Sequence, residues 1–348
     1  MAGKRQHFIP RFVQRGFLSQ KEQTWVFDKT RGSYQTSIDN VGLQSYFYGK
    51  QSENNIDLEI TKSEPKYAKL IEELRLKQGE ISEYSTEASE LMIHLSVRNK
   101  HIRQTFGNSA ENIVNVMKNN LDTPQKINNM LMTYAKHNPS EIEKMVDESL
   151  KDYDIPEGIK TQVKSIFINN FENLINPLQS QAHRTTQEVF SVIENTFGQH
   201  IKTGHLTALE KTQDNSFDER KKQMKDLRWF VTKAKTHFIL GDIGSWAFDE
   251  NQECVPFIMG GKELSSIYTP LSKESCLVAC NEPDSIIKDT NTINEISASM
   301  SFEFFISSTN NADVGKLKSK IRSKLDAFIS DITNDFEDDF KNDYFSDA

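Results

Sequence analysis

Cysteine is scarce in this chain. There are three, Cys254, Cys276 and Cys280, all in the last third. A small, odd set of this kind excludes a secreted scaffold held together by disulfides. Cys276 and Cys280 are four apart, so in a strand they share one face. They read as reduced packing residues. The alternative, a metal-binding pair, lacks a second Cys/His pair at zinc spacing.

Long apolar runs are missing too. No stretch approaches the roughly 20 apolar residues of a membrane span. The segment from Met1 to Leu18 is basic but has neither an unbroken apolar core nor a small-residue cleavage site, so it reads as folded protein and not as a signal peptide. The expected location is the cytoplasm. There is no Walker-type glycine loop, no G-x-G-x-x-G, no G-x-S-x-G and no H-E-x-x-H, so the common nucleotide, nucleophile and zinc-protease classes lose their usual support. Gly260-Gly261 is an isolated pair and reads as a turn.

What the chain does have is bulk and charge. Its 348 residues include 22 Phe and 9 Tyr, enough to bury a core without staples. The net charge of −8 is uneven. Residues 1–36 carry seven Lys/Arg against two Asp/Glu, and residues 217–235 carry seven against three. Residues 326–348 carry eight acidic side chains and one Lys. A local basic cleft for nucleic acid is one reading of the first two segments; solvated faces and an acidic tail are the other.

The hydrophobic period changes along the chain. Residues 1–50 read as short strands and turns, with Thr24-Trp25-Val26-Phe27-Asp28 and Ser45-Tyr46-Phe47-Tyr48 as strand candidates. From 55 to 197 the period is helical. Ser63-Glu64-Pro65 predicts a helix start and Gly79 its end. A helix carrying Ala88, Leu91, Met92, Leu95 and Ile102 should run to Gly107. Further helices are expected near 109–121, 125–136, 141–152, 157–175 and 178–197, with capping-box spacing at Ser140-Glu141-Ile142-Glu143. Residues 198–220 read as a polar loop or a short helix. Strands return from 225 to 310, at 229–231, 237–240, 245–248, 255–258, 276–279 and 302–306. Val314, Leu317, Ile321, Leu325, Phe328, Ile332 and Phe336 then mark a closing amphipathic helix.

The expected fold class is therefore α+β. A long helical middle lies between N-terminal strands and a mostly antiparallel C-terminal sheet, which the N-terminal strands are free to join. The expected division is one domain over 1–310, with a C-terminal helix and acidic tail over 311–348.

One group of motifs stands out. Gln6-His7-Phe8-Ile9-Pro10-Arg11, followed by Gly16-Phe17-Leu18, resembles the opening H-[YF]-[VI]-P-x-[FY]-x-L-[RK]-x-F of the microbial family known as domain of unknown function 4238. Trp25-Val26-Phe27-Asp28 is similar to the W-V-Y-D strand of that family. Leu58-Glu59 and Glu64 resemble its acidic helix, and Arg98 an arginine on the next helix. Later matches are Trp229, Phe238-Ile239-Leu240-Gly241-Asp242, Pro270-Leu271-Ser272, and Asn294 ahead of Phe304-Phe305-Ile306-Ser307. The chain departs from the pattern at Gln14, where Leu is usual, and at Gly241-Asp242-Ile243-Gly244, where Thr-Ser-Asp-x-Pro is usual.

The resemblance implies no settled activity but selects residues. His7, Glu59, Arg98 and Asp242 are the catalytic candidates, with Glu59, Glu64 and Asp242 as metal ligands for Mg²⁺ or Mn²⁺. Arg11, Arg98 and Asn294 are the expected substrate contacts. Convergence of these residues predicts metal-dependent phosphodiester hydrolysis, as in a nuclease-like effector of microbial defence. His7 is expected to face Glu59, Arg98 or Asp242, with a neighbouring carboxylate raising its pKa; contact with a backbone carbonyl is the plainer alternative. The other reading of the chain is a binding or regulatory module without catalysis, engaging a protein or nucleic acid. His94, Arg98 and His101 share a helix face that reads, with Lys100 and Arg103, either as a basic ridge facing phosphate or as a solvated surface, and His200 and His205 read as exposed.

Overall fold

The computed structural model describes residues 5–50, 55–211, 218–258 and 263–345. The Gly260-Gly261 turn lies outside them. Two compact units form. The first comprises 1–105 and 201–328, the second 106–200 and 329–348. The boundaries fall within helices Lys100–Asn120, Gln179–Lys211 and Ser323–Phe345.

The first unit holds the strands, and every pairing is antiparallel. A six-stranded sheet runs in the order Gly79–Glu80, Arg228–Lys233, Ser275–Cys280, Leu264–Pro270, Trp246–Asp249, Cys254–Pro256. A four-stranded sheet runs Gly32–Thr36, Thr24–Asp28, Phe304–Ser307, Leu240–Gly241. The N-terminal strand thus joins a C-terminal one, with Phe27 opposite Phe305 and their rings stacked at 4.8 Å. The core of the six-stranded sheet is aromatic: Trp246 stacks on Tyr268 at 4.5 Å, and its indole N–H donates to Ser297 Oγ at 3.0 Å. Cys276 and Cys280 are free, buried and on the same strand.

Several local readings change. The strand expected at 45–48 stops at Ser45. Helix Ile56–Leu76 begins before Pro65 and contains it. Pro65 supplies no N–H there, and on the preceding turn Thr61 Oγ1 and Ser63 Oγ donate to the carbonyls of Asp57 and Ile60. The helix expected through Gly107 breaks into Ser85–Val97 and Lys100–Asn120, with Arg98 and Asn99 at the break. Helix Pro139–Leu150 takes Asn138, not Ser140, as its N-cap. The stretch at 198–220, read as a loop or a short helix, is the end of the long helix Gln179–Lys211 and the start of helix Asp218–Lys225. Helix Thr290–Met300 and strand Leu264–Pro270 were not foreseen in the pattern.

The second unit is helical. Its core is small, centred on Leu121, Ile127, Phe190 and Phe340. Among the described residues no helix is long and apolar enough to cross a membrane.

Candidate functional site

The opening motif is built into the first unit. Strand Arg5–His7 pairs with Leu43–Ser45, and Pro10 holds an extended conformation before helix Arg11–Gln14. Phe8, Ile9, Phe12, Val13 and Phe17 are buried, at roughly 1.5–3 kcal/mol per large apolar side chain. The N–H groups of Phe8 and Ile9 both donate to the Gly42 carbonyl, at 2.8 and 3.1 Å. Gly42 has φ +62°, and a Cβ there would lie 2.7 Å from Ile9 Cβ. Gln14 lies buried where the family has Leu; its amide donates to the carbonyls of Ile9 and Val41.

His7 takes the plainer role. Its Nδ1 lies 3.1 Å from the Val41 carbonyl, so the N–H sits on Nδ1. Burial is the main cause that lowers its pKa, and Arg11 adds to the shift. The expected rise from a neighbouring carboxylate is overturned.

Arg98 meets His7 through the backbone. The guanidinium is buried at the break between two helices. One terminal nitrogen donates to the His7 carbonyl at 2.9 Å and lies 2.9 Å from Glu64 Oε1. Nε contacts the Tyr48 hydroxyl at 3.2 Å, and the other terminal nitrogen donates to His94 Nε2 at 3.2 Å. Accepting at Nε2 makes His94 neutral, and its pKa is well below the ordinary value because of burial first and Arg98 second. Gln6 completes the arrangement, accepting from the Tyr48 N–H and donating to the Gly49 carbonyl. Asp57 also faces Gln6 and Arg98; burial, partly offset by those two, raises its pKa. Arg98 is thus a planar fork spent on one carboxylate and three neutral acceptors.

The remaining candidates hold other partners. Asp242 Oδ1 accepts from the N–H of Phe302, and Oδ2 from those of Glu303 and Phe304. Its carbonyl accepts from Asn99 Nδ2. Burial pushes its pKa up to about 6 against the pull of those three amides. The carboxylate therefore fixes the entry to strand Phe304–Ser307. Glu59 pairs with Lys62 at 2.6 Å on the surface, and Arg11 with Asp39 at 2.9 Å. Glu59, Glu64 and Asp242 each hold a different partner. Among the described residues no group of three or more His, Cys, Asp and Glu side chains is placed to hold a metal ion.

Of the histidines read as exposed or solvated, His94, His101 and His205 are buried, whereas His200 is exposed as expected. His205 Nε2 donates to the Val97 carbonyl at 2.6 Å, and Nδ1 accepts from Arg103 Nε at 2.5 Å. Neither ring nitrogen of His101 has a protein partner. Burial takes the pKa of His101 down to about 3, and burial with Arg103 takes that of His205 to about 4. Arg103 also lies over the Phe47 ring at 4.3 Å. Tyr48 and Asp57 were missed as partners of Arg98, and Gln6 as a partner of Tyr48 and Asp57, because no local spacing links residues some forty to fifty positions apart.

Asn294 opens a second location. Its Oδ1 accepts from the Ile239 N–H at 2.9 Å, and its Nδ2 donates to the His237 carbonyl at 2.8 Å. These bonds fix the floor of a cleft of about 670 Å³ within the first unit. Lys235, His237, Lys316 and Lys320 line it beside Asn291, Asn311 and the carboxylates Glu295 and Asp313. Lys316 and Lys320 pair with Asp313 and Glu295 at 3.0 and 2.8 Å, both in half- to fully exposed surroundings. Exposed pairs of this kind are worth about 0–1 kcal/mol, so an incoming anion displaces them at little cost.

The family model described as "Protein of unknown function (DUF4238)" matches residues 5–312. The chain belongs to the DUF4238 family. No curated protein and no solved structure matches it. The resemblance to DUF4238 first drawn from short motifs therefore holds across nearly the whole chain. In this member, the motif residues Arg98, Asp242 and Asn294 do the same kind of work: each satisfies backbone groups of distant segments. Asn294 also lines an open cleft.

Proposed function

We propose that this protein is a non-catalytic binding module whose first-unit cleft engages the phosphate backbone of nucleic acid. The observation that carries the reading is the convergence of Lys235, His237, Lys316 and Lys320 on one 670 Å³ cleft, with Asn291 and Asn311 as neutral donors. Lysines supply mobile point charges for phosphates, and amides supply directed hydrogen bonds. Lys235 comes from the basic segment 217–235 seen in the sequence. Three free cysteines, two of them buried, suit a reducing cytoplasm. The metal-dependent hydrolase expected from the same motifs draws less support, because Glu59, Glu64 and Asp242 are engaged with Lys62, Arg98 and backbone amides.

Fluorescence anisotropy with labelled single-stranded RNA, single-stranded DNA and duplex DNA tests the proposal. Binding should weaken steeply between about 50 and 200 mM salt, as counterion release requires. A Lys235→Glu/Lys320→Glu variant should bind at least about tenfold more weakly. No binding at the lower salt, or unchanged binding by the variant, overturns the proposal. Cleavage of any of the three in Mg²⁺ or Mn²⁺, lost in His7→Ala, overturns its non-catalytic part.

A further inference from the structure

The second unit carries a surface that the cleft does not explain. Of the twelve large apolar side chains exposed among the described residues, nine belong to this unit, which comprises about a third of the chain. Helix Glu157–Asn169 buries none of its side chains fully, and its Ile166 is 62% exposed. Helices Pro124–His137, Pro139–Leu150, Glu157–Asn169 and Phe171–Ile175 together border a groove of about 490 Å³. Met132, Ala135, Pro139, Ile142, Ile168 and Phe171 make its lining mainly apolar. An exposed apolar groove of this size marks a place where another apolar surface is laid.

Charge decides what that surface belongs to. The second unit has nineteen acidic side chains against nine basic ones, whereas the first has thirty-one against thirty-three. Lys136 lines the groove itself, while exposed Glu141 and Glu143 stand on either side of Ile142 in the chain and exposed Glu172 follows Phe171. A second copy of the same unit would bring acid against acid, which disfavours self-association through this face. A lysine- or arginine-rich partner meets complementary charge at the rim and apolar side chains in the groove. We infer that the second unit is a docking site for a basic amphipathic helix of a partner protein, seated in the groove between Met132, Ile142, Ile168 and Phe171. Helix-in-groove recognition uses apolar anchors at i, i+3/i+4 and i+7, with the polar face outward. A Lys-rich flank adds association rate and selectivity over acidic helices.

The test is direct titration of the full chain with three labelled peptides. One is a Leu/Lys amphipathic helix, one has the same composition scrambled so that no apolar face forms, and one is a Leu/Glu amphipathic helix. The Leu/Lys helix should bind saturably, and the other two at least about tenfold more weakly. Ile168→Glu should remove the binding, and so should the surface pair Glu141→Lys/Glu172→Lys, which spares the apolar lining and so serves if the first variant misfolds. The Lys235→Glu/Lys320→Glu variant should bind the peptide as the native chain does, which separates this site from the cleft. Equal binding of the scrambled peptide, absence of binding, or insensitivity to the charge-reversed pair overturns the inference. So does a concentration-dependent dimer that Ile168→Glu dissolves, which would make a second copy the occupant.

Discussion

At the scale of the residue, polar side chains in this protein mostly act on backbone. Arg98, Gln6, Gln14, Asp242 and Asn294 all tie segments that are distant in sequence. A buried histidine held neutral has a further effect. The folded pKa values of His101 and His205, about 3 and about 4, lie below the ordinary 6.5. The unfolded chain therefore takes up protons that the native chain refuses. The resulting stability is complete above 6.5 and is lost as pH falls toward those values. Each group contributes at most about 1.4 kcal/mol per pH unit within that window. Urea midpoints should fall on acidification below 6.5, and His101→Leu should flatten the slope. The same variant should cost little at neutral pH, because neither ring nitrogen has a protein partner to lose. A pH-independent midpoint in the native chain would refute the assignment.

At the scale of the element, the turn through Gly42 decides whether the opening motif can seat. Gly42→Ala puts a side chain at φ +62° and drives its Cβ into Ile9. The expected loss is more than about 1 kcal/mol, read as a lower denaturation midpoint. A wild-type midpoint would show that the segment adapts. Much of the element pattern was legible beforehand. Strand Thr24–Asp28 and the helical stretch from 55 to 197 follow from the hydrophobic period and from Pro and Gly punctuation. Helix Thr290–Met300 carries only a thin apolar stripe, Ile293, Ile296 and Met300, and its other buried positions are Thr290, Asn294, Ser297, Ala298 and Ser299, small or polar residues that mask the stripe in the sequence. Its approach to strand Leu240–Gly241 is close enough that a Cβ on Gly241 would lie 2.8 Å from the Ser297 carbonyl. The site was legible only in part. The motifs named Arg98, Glu64 and Asn294, but the partners that assign their roles are Tyr48, His94, the His7 carbonyl and the backbone of 237–239. Those contacts are set by tertiary packing, which local spacing does not encode.

At the scale of the whole molecule, the two units differ in core and in charge. The first buries aromatic strands; the second rests on four principal buried side chains and carries a strong acidic excess. Native-state hydrogen exchange should therefore separate them. Amides of Leu264–Pro270 and Ser275–Cys280 should exchange last, and those of Glu157–Asn169 early, through sub-global opening. Added salt should slow the early class by screening the repulsion among its carboxylates. Uniform protection across both units would contradict this division.

The pairing of Thr24–Asp28 with Phe304–Ser307 also sets a schedule for synthesis. Thr24 Oγ1 bonds the Ser307 carbonyl across 283 positions of chain. Translation at about 5–20 residues per second separates the emergence of these strands by roughly 15–60 s. Throughout that interval the first strand has one hydrogen-bonding edge without its final neighbour, an edge of the kind that recruits other chains. The newborn protein is therefore most exposed to aggregation or chaperone capture before residue 304 leaves the ribosome, when most of its helices already exist.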